Sequence, residues 1–455
     1  MRLIAVLVIL AVCATRGYGE YKPNWESLDT RPLPSWYDEA KLGIFIHWGV
    51  FSVPSFGDGF LAELFWYYWK ALANPHAIDF MEKNYPPGFT YPDFAPQFTA
   101  EFFDPNKWAD MFEASGAKYV VFTSKHGEGY TNWPSATSVN WNSMDVGPKR
   151  DIVGDLANAI KNRTSLRFGL YHNLHDFLNP LYLNDKQNNF TTNEFPRMKS
   201  MPELYDIVSR YKPDIVWSDG DQGTNSSYWN SAEFVAWLYN ESPVKDIVVT
   251  NDRWGRDVLC KHGGFLTCDD RYNPHTLQTR KWENALTIDK HSWGYRRNAN
   301  FNDFMSINEL LQQLVTTISC NGNMLMNVGP TKEGTITPIF EERLRQMGEW
   351  LNVNGEAVYS SKPWKHQNDQ TNKDVWYTMN GKHVYAFSFS WPDSNILELG
   401  SPISTSSASV DLVGGASLLT WQSISPGGVK ITLPVLNPAL TKAKWVYVFR
   451  LIGFV

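Results

Sequence analysis

Short apolar segments recur along the first three quarters of the chain, and each ends on a His, Tyr, Asp or Arg side chain or just beyond one. Five such segments span residues 45–47, 120–126, 168–171, 214–220 and 248–253. Their β-branched and aromatic residues are typical of buried strands. Barrel enzymes carry their chemistry where strands run into loops. The repetition therefore predicts both a fold and the edge of that fold where a site forms.

Helical segments lie between these strands. They span residues 106–116, 152–161, 202–211, 231–239 and 307–318, and the last leads into the apolar segment 324–330. Strand–helix alternation predicts a parallel sheet with helical crossovers. Six or more such units between residues 41 and 350 predict a (β/α)8-type barrel. A doubly wound sheet is the alternative, but no G-x-G-x-x-G follows the first strand.

The pattern changes after Pro363 to period-two alternation. The alternating segments are 375–379, 383–389, 408–413, 429–433 and 445–451, with turns at 380–381 and 427–428. They predict a C-terminal antiparallel β-sandwich. Because 455 residues exceed the about 250–300 that one core usually holds, we expect two domains. The expected boundaries are 20–355 for the barrel and 356–455 for the sandwich.

Residues 1–19 have the composition of a signal peptide, in which Arg2 precedes an apolar run at 3–12 and small residues follow. That run is too short for a membrane span, and no other stretch reaches about 20 apolar residues. The secretory pathway is therefore expected. N-glycosylation sequons begin at Asn162, Asn189, Asn225 and Asn240, the last weakened by Pro243.

The cysteines fit an oxidising compartment. Cys13 leaves with the signal peptide, Cys260 and Cys268 flank a Gly-rich tight loop and are expected to form a disulfide, and Cys320 is expected to be a buried small residue. The histidines form no metal-ligand spacing, so no metal is expected. A net charge of −6 provides no basic field for nucleic acid or an anionic membrane.

The side chains at the strand ends are expected to share one pocket. They are His47, His126, Tyr171, Trp217, Asp219 and Arg253. Taken singly, each histidine could equally be a hydrogen-bonded core residue, and Arg253 could equally form a structural ion pair. Together they combine a carboxylate, hydroxyl-binding groups and an aromatic wall, without a Ser or Cys nucleophile elbow or a cofactor loop. Glycoside cleavage needs such a set: one carboxylate attacks the anomeric carbon and a second carboxyl protonates the leaving oxygen.

The residues alone do not identify which side chain provides the second carboxyl. Asp269 and Asp270 follow Cys268, and Glu283 follows Trp282 near the next strand, from which it can reach in from the side. Adjacent aspartates are also common in turns, and a Glu beside a Trp is typical of a solvated helix face.

The same residues resemble the α-L-fucosidases of glycoside hydrolase family 29, of the animal tissue type. The matching stretches run collinearly from about residue 24 to the end and include 41–54, 131–135, 201–206, 217–220, 249–255, 281–283, 292–297 and 327–334. The resemblance implies a retaining hydrolase that removes terminal α-L-fucose from glycoproteins and glycolipids. It also implies a catalytic barrel with a C-terminal β-sandwich, no cofactor, often a tetramer, and a lysosomal or secreted location.

The resemblance assigns roles to single positions. Asp219 matches the nucleophile, and Glu63 matches a Glu near the acid. The fucose-binding positions are matched by His47, His126, Tyr171, Trp217 and Arg253. For the acid/base the order of preference is Asp270, then Glu283, then Asp269, with Glu283 otherwise a supporting carboxyl.

The chain departs from the family pattern in two places. The family's Lys-His-His-Glu-Gly is here 125–129 with Gly127 in place of the second His, and its Gly-Gly-Asn is here 321–323 with Asn321 first. Losing one pocket donor costs about 1–3 kcal/mol of recognition. The alternative function is therefore a catalytically weak, lectin-like fucose-binding protein. Asp219 argues for the enzyme, since a binder has no use for a carboxylate under the anomeric carbon.

Overall fold

The computed structural model describes residues 20–425, 427–437 and 441–455; the expected signal peptide, with Cys13, lies outside them. The α-helices are α1 (Trp25–Leu28), α2 (Ser35–Ala40), α3 (Pro75–Asn84), α4 (Pro105–Ala114), α5 (Ile152–Arg163), α6 (Pro180–Gln187), α7 (Met201–Tyr211), α8 (Ser226–Trp229), α9 (Ser231–Asn240), α10 (Ile307–Ser319) and α11 (Pro338–Val358). The strands of the first sheet are β1 (Leu42–Ile46), β2 (Tyr119–Lys125), β3 (Arg167–Asn173), β4 (Ile215–Asp219), β5 (Val249–Thr250), β6 (Trp282–Thr287) and β7 (Gly322–Val328).

These strands form one parallel sheet in the order β5-β4-β3-β2-β1-β7-β6. Strands β1, β2 and β7 are buried along their whole length. Parallel strands covered on both faces read as continuous apolar runs, which is why the sequence signalled most of them. The predicted helices that lead into β2, β3, β4 and β5 are α4, α5, α7 and α9.

A short segment, residues 264–267, joins the two edges of this sheet. The backbone N–H of Gly264 donates to Thr250 O at 3.0 Å, and that of Leu266 donates to Lys281 O at 3.0 Å. The N–H of Glu283 donates back to Leu266 O at 2.8 Å. The segment thus takes the sixth position of an eight-membered ring, between β5 and β6. The predicted (β/α)8-like barrel is confirmed; β6 itself was not predicted.

The C-terminal part forms two antiparallel sheets. The larger has the order β12-β15-β10-β9-β8 and the smaller β11-β14-β13. Their strands are β8 (Lys362–Asn368), β9 (Val375–Asn380), β10 (His383–Ser388), β11 (Ile396–Leu399), β12 (Ser404–Leu412), β13 (Trp421–Ser423), β14 (Val429–Thr432) and β15 (Tyr447–Phe454). Apolar side chains of both sheets share one core, including Leu397, Ile431, Leu412 and Phe449. The β-sandwich is confirmed; β8, β11 and β13 were not predicted.

Helix α11 connects the two parts. Trp350 Nε1 donates to Val446 O at 2.8 Å, and Thr378 Oγ1 donates to Ala357 O at 2.8 Å. The expected boundary at residue 355 falls inside this helix and stays a prediction. Within the described residues no helix combines the length and the hydropathy that crossing a membrane requires.

Candidate active site

A cavity of about 480 Å³ lies at the carboxyl ends of the barrel strands. It is lined by eight of the residues expected from the sequence, namely His47, Glu63, His126, Tyr171, Trp217, Asp219, Arg253 and Asp270. The other two expected carboxyls, Asp269 and Glu283, do not line it. The strand ends meet here because parallel strands of one barrel point their carboxyl ends to the same face.

Asp219 is the last residue of β4 and lines the cavity. Tyr171 donates its hydroxyl to Asp219 Oδ2 at 2.7 Å, and Arg253 Nη1 lies 3.1 Å from Oδ1. Burial opposes ionisation, but the Arg253 charge and the Tyr171 hydrogen bond outweigh it and hold the pKa of Asp219 below its ordinary value. The carboxylate is therefore ionised and oriented, as a nucleophile requires.

The chain can leave β4 only because residue 220 is a glycine. Gly220 has a φ of +83°, and a Cβ there would lie 2.5 Å from Asn173 Oδ1. A side chain at this position would be strained and would push into the neighbouring strand end.

Arg253 joins two carboxyl groups. Its Nη2 donates to Asp270 Oδ1 at 2.8 Å while Nη1 holds Asp219, so one guanidinium separates the two groups. Two carboxyls that share one guanidinium lie close together, and a retaining glycosidase requires a close pair. The Asp270 side chain is 42% exposed, so it lies where the cavity opens to solvent.

Asp252, which the sequence reading missed, fixes the loop that carries Asp270. Its Oδ2 accepts the backbone N–H groups of Cys260 and Cys268 at 2.9 and 3.1 Å. Its Oδ1 accepts the N–H and the hydroxyl of Thr267 at 2.9 and 2.6 Å. The expected disulfide between Cys260 and Cys268 is present, with Cα atoms 4.4 Å apart. The signal for Asp252 was its place at a strand end directly before Arg253.

The pocket histidines are neutral. Burial lowers the pKa of His47 to about 4 and that of His126 to about 3. His47 Nδ1 donates to Asn327 Oδ1 at 2.8 Å. A third pocket histidine, His175, was not predicted, and burial lowers its pKa to about 4. A neutral imidazole offers one donor and one acceptor, which suits sugar hydroxyls.

Aromatic side chains form much of the wall. Trp217 is almost wholly buried because Arg253 lies over it at 4.9 Å and Tyr171 stacks on it at 5.6 Å. Additional aromatic residues of the lining, not predicted, are Phe45, Tyr67, Phe177, Tyr182, Phe190 and Trp293. Phe45 lies in β1 and Tyr182 in α6, while Trp293 lies between β6 and α10, so these rings reach the pocket from separate elements.

Glu63 lines the pocket and is almost fully buried. Its Oε2 accepts the Ser292 hydroxyl at 2.7 Å and the N–H groups of Trp293 and Gly294 at 3.2 and 3.0 Å. Burial raises the pKa of this carboxyl against the effect of those three donors. Glu63 is thus a rigidly held carboxyl, placed by a loop between β1 and α3.

Glu283 does not reach into the pocket from the side, contrary to the expectation. It lies in β6 with no exposed surface, and its carboxyl accepts Tyr37 and Tyr119 hydroxyls at 2.7 and 2.6 Å and Trp217 Nε1 at 2.9 Å. The position is therefore a buried strand, not a solvated helix face. The carboxyl supports Trp217 from beneath.

Asp269 is an exposed loop residue beside the pocket. Its Oδ1 accepts the backbone N–H of Asp270 at 2.8 Å, which is a turn-forming role.

Gly127 has no room for the side chain that the family pattern places there. A Cβ at this position would lie 2.1 Å from the ring of Phe177. That ring packs against Tyr67 at 4.9 Å and His175 at 5.2 Å. The wall that a second histidine would provide is therefore apolar in this chain.

The glycosylation sequons differ in exposure. Asn162, Asn189 and Asn225 are exposed. Asn240 is half-buried, and its amide exchanges hydrogen bonds with the backbone of Tyr21 at 2.8 and 2.9 Å. A glycan at Asn240 would displace that contact, whereas the other three positions are free to carry one; glycosylation of all four stays a prediction.

Comparison with known families supplies the assignment. A family model described as Alpha-L-fucosidase matches residues 8–356, and one described as Alpha-L-fucosidase C-terminal domain matches residues 367–452. The chain belongs to the α-L-fucosidase family. The resemblance that the sequence motifs indicated is thereby confirmed.

Individual relatives agree with this membership. The fucosidase chain is 57% identical to a plasma α-L-fucosidase of Rattus norvegicus over 93% of its length and 92% of that protein. It is 52% identical to a tissue α-L-fucosidase of Homo sapiens over 95% and 92% of the two chains. The crystal structure of a Thermotoga maritima α-fucosidase in complex with fucose is 30% identical, with a TM-score of 0.81 over 95% of this chain and 100% of that one.

Proposed function

We propose that the chain hydrolyses terminal α-L-fucose from glycoproteins, glycolipids and oligosaccharides with retention, through a covalent fucosyl-aspartate on Asp219. The observation that carries the assignment of Asp219 is its carboxylate at the end of β4, held ionised by Arg253 and Tyr171 within a sugar-sized cavity. The second carboxyl on the same guanidinium, Asp270, is the acid/base.

The reaction consists of two displacements. Asp219 attacks the anomeric carbon and forms the glycosyl ester while Asp270 gives its proton to the departing oxygen. A water molecule then attacks the same carbon, Asp270 takes the proton of that water, and the C–O bond to Asp219 breaks. Fucose leaves with its original anomeric configuration, and both carboxyls return to their starting states.

The remaining pocket residues position the sugar. Neutral His47 and His126 exchange hydrogen bonds with ring hydroxyls, and Glu63 accepts one. Arg253 neutralises Asp219 in the free enzyme, while Trp217 and Trp293 offer apolar surface. The lectin-like alternative is not favoured, because binding alone gives no role to two carboxyls bridged by one arginine.

Location and assembly belong to the same proposal. The relatives are named plasma and tissue enzymes, so we place the mature chain, without residues 1–19, in the secretory pathway as a lysosomal or secreted protein. A homotetramer is the assembly that the family resemblance implies.

The test replaces the nucleophile. Asp219→Gly is expected to abolish hydrolysis of 4-nitrophenyl α-L-fucoside with unchanged circular dichroism. Added azide fills the space of the missing carboxylate, and the product expected by NMR is β-fucosyl azide. Turnover by Asp219→Gly without any added nucleophile would refute the assignment.

A further inference from the structure

A narrow slot of about 10 Å³ opens beside Gly127, behind the wall of the main pocket. Two carboxyls line it, Glu63 and Glu128, which are 3% and 5% exposed. Its apolar walls are Leu64, Trp66, Tyr67, Phe177 and Leu178. Glu63, Tyr67 and Phe177 also line the main pocket, so the two spaces are neighbours.

Polar atoms around this slot lack partners among the described residues. Glu63 Oε1 and Glu128 Oε2 accept no hydrogen bond there, nor does His126 Nδ1 make one, although it lies 3.7 Å from Glu128 Oε2. Buried polar groups are almost always paired with protein or with an ordered water. Unpartnered atoms of two carboxyls at one slot, with an unpartnered imidazole nitrogen 3.7 Å from one of them, point to a small hydrogen-bonding ligand.

Burial, above all, favours the neutral form of Glu128. Burial raises its pKa to about 8, and the charges of Asp176 and Glu63 act in the same direction against that of Lys125. The other titratable groups that face it are neutral: His126, Tyr91 and Tyr130. Below that pH Glu128 keeps its proton. Glu63 and Glu128 together can then donate as well as accept hydrogen bonds, and their charges do not repel.

Barrel topology indicates which part of a bound sugar lies nearest the slot. Gly127 and Glu128 follow β2, the second strand of the ring, whereas Asp270 follows the segment 264–267 at the sixth position. In a ring of eight these positions lie opposite each other. The scissile bond at C1 is beside Asp270, so the slot faces the other end of the pyranose ring, where the C4 hydroxyl lies.

We propose that the slot holds one water molecule between Glu63 and Glu128, which hydrogen-bonds the C4 hydroxyl of fucose in place of an imidazole at position 127. A cavity needs about 10–15 Å³ and two to four polar partners to hold a water, and the slot supplies both. A bridging water is nearly as good a contact as a direct hydrogen bond. Phe177 excludes a side chain from position 127, so the water takes that role.

The kinetic test rests on the proposed function and compares 4-nitrophenyl α-L-fucoside with its 4-deoxy analogue. In Glu128→Leu the preference in kcat/KM for the parent substrate is expected to fall by about tenfold, since the water and its hydrogen bond are lost. Glu128→Gln still donates and accepts, and keeps the preference. The exposed Glu82→Gln serves as the control. An unchanged preference in Glu128→Leu overturns the inference.

A high-resolution crystal structure of the wild-type protein provides a test independent of activity. The expected result is an ordered water within hydrogen-bond distance of both Glu63 Oε1 and Glu128 Oε2. A dry slot at that resolution overturns the proposal, even where Glu128→Leu fails to fold. A wild-type protein that leaves the aryl fucoside intact contradicts the proposed function instead, and the crystallographic water still decides the inference.

Discussion

Arg253 is the residue on which the site's electrostatics depend. It lies between Asp219 and Asp270, stacks on Trp217, and donates from Nε to Thr267 Oγ1 at 2.9 Å. Every donor nitrogen of its fork thus has a fixed partner, which gives the two carboxyls a defined mutual distance. A lysine could not reproduce this because its single ammonium lacks the planar fork that holds two carboxyls at a fixed distance.

The acid/base assignment is tested at this scale. Asp270→Ala is expected to lower kcat/KM on methyl α-L-fucoside by about 10²–10⁴-fold, and on the activated 4-nitrophenyl fucoside far less in the first displacement. The reason is that only a poor leaving group needs a proton. Steady-state and burst kinetics on both substrates provide the measurement.

Asp269→Ala is the matched control, since it removes a carboxyl from the same loop but outside the pocket. Glu283→Gln changes a carboxyl outside the pocket but keeps the oxygen that accepts from Trp217 Nε1, so it is expected to show no leaving-group dependence. If Asp269→Ala or Glu283→Gln shows the leaving-group dependence and Asp270→Ala does not, the acid must be reassigned.

Among the elements, the loop from Asp252 to Asp270 is the one most specialised for the reaction. It leaves β5 after two strand residues, passes through the Cys260–Cys268 disulfide, and returns as the sixth position of the barrel. The Asp252 carboxylate ties both cysteine N–H groups and Thr267 together. The backbone at Asp270 is therefore held rigidly, although its side chain faces solvent.

Removal of the disulfide should affect this loop before it affects the barrel. The Cys260→Ser, Cys268→Ser double variant is expected to lose about 2–3 kcal/mol of unfolding free energy, the usual effect for a short closed loop. It is also expected to lose kcat/KM on the methyl fucoside more than on the aryl fucoside, because Asp270 becomes mobile. Denaturant unfolding and kinetics measure both effects; equal losses on the two substrates would show that the bridge does not position the acid.

At the scale of the whole molecule, barrel and sandwich share apolar core. Trp350 of α11 lies 6.3 Å from Phe387 of β10, ring centre to ring centre, and both belong to the same buried cluster as the barrel strands. Val446 and Val448 join that cluster from the sandwich side. The C-terminal sandwich therefore covers barrel surface that would otherwise be exposed.

Because the barrel and the sandwich share an apolar core, we expect them to unfold together. Calorimetry of the wild-type protein is expected to show one transition, and Trp350→Ala to lower its midpoint, since truncating a buried Trp costs about 3–5 kcal/mol. Phe301→Ala, at an exposed aromatic position, is the control and should leave the midpoint unchanged. Two separate transitions in the wild-type protein would show that the sandwich unfolds independently of the barrel.

Strand-end residues were predictable because their signals are local. An apolar run that ends on His47, Asp219 or Arg253 is visible in a few neighbouring residues, and a parallel barrel necessarily brings such ends to one face. The same holds for the period-two strands of the sandwich and for the Cys260–Cys268 pair, which lie eight residues apart. Motif resemblance added the roles that single residues cannot show.

Contacts between distant segments needed the tertiary structure. Glu283 follows Trp282 in sequence as a surface residue would, yet Tyr37, Tyr119 and Trp217 converge on it from three other elements and make it a buried support. Nothing local to Gly127 shows that the Phe177 ring, fifty residues later, fills its side-chain space. Local periodicity determines which face a residue takes, but only the closed barrel decides which partners, hydrogen bonds and charges it meets there.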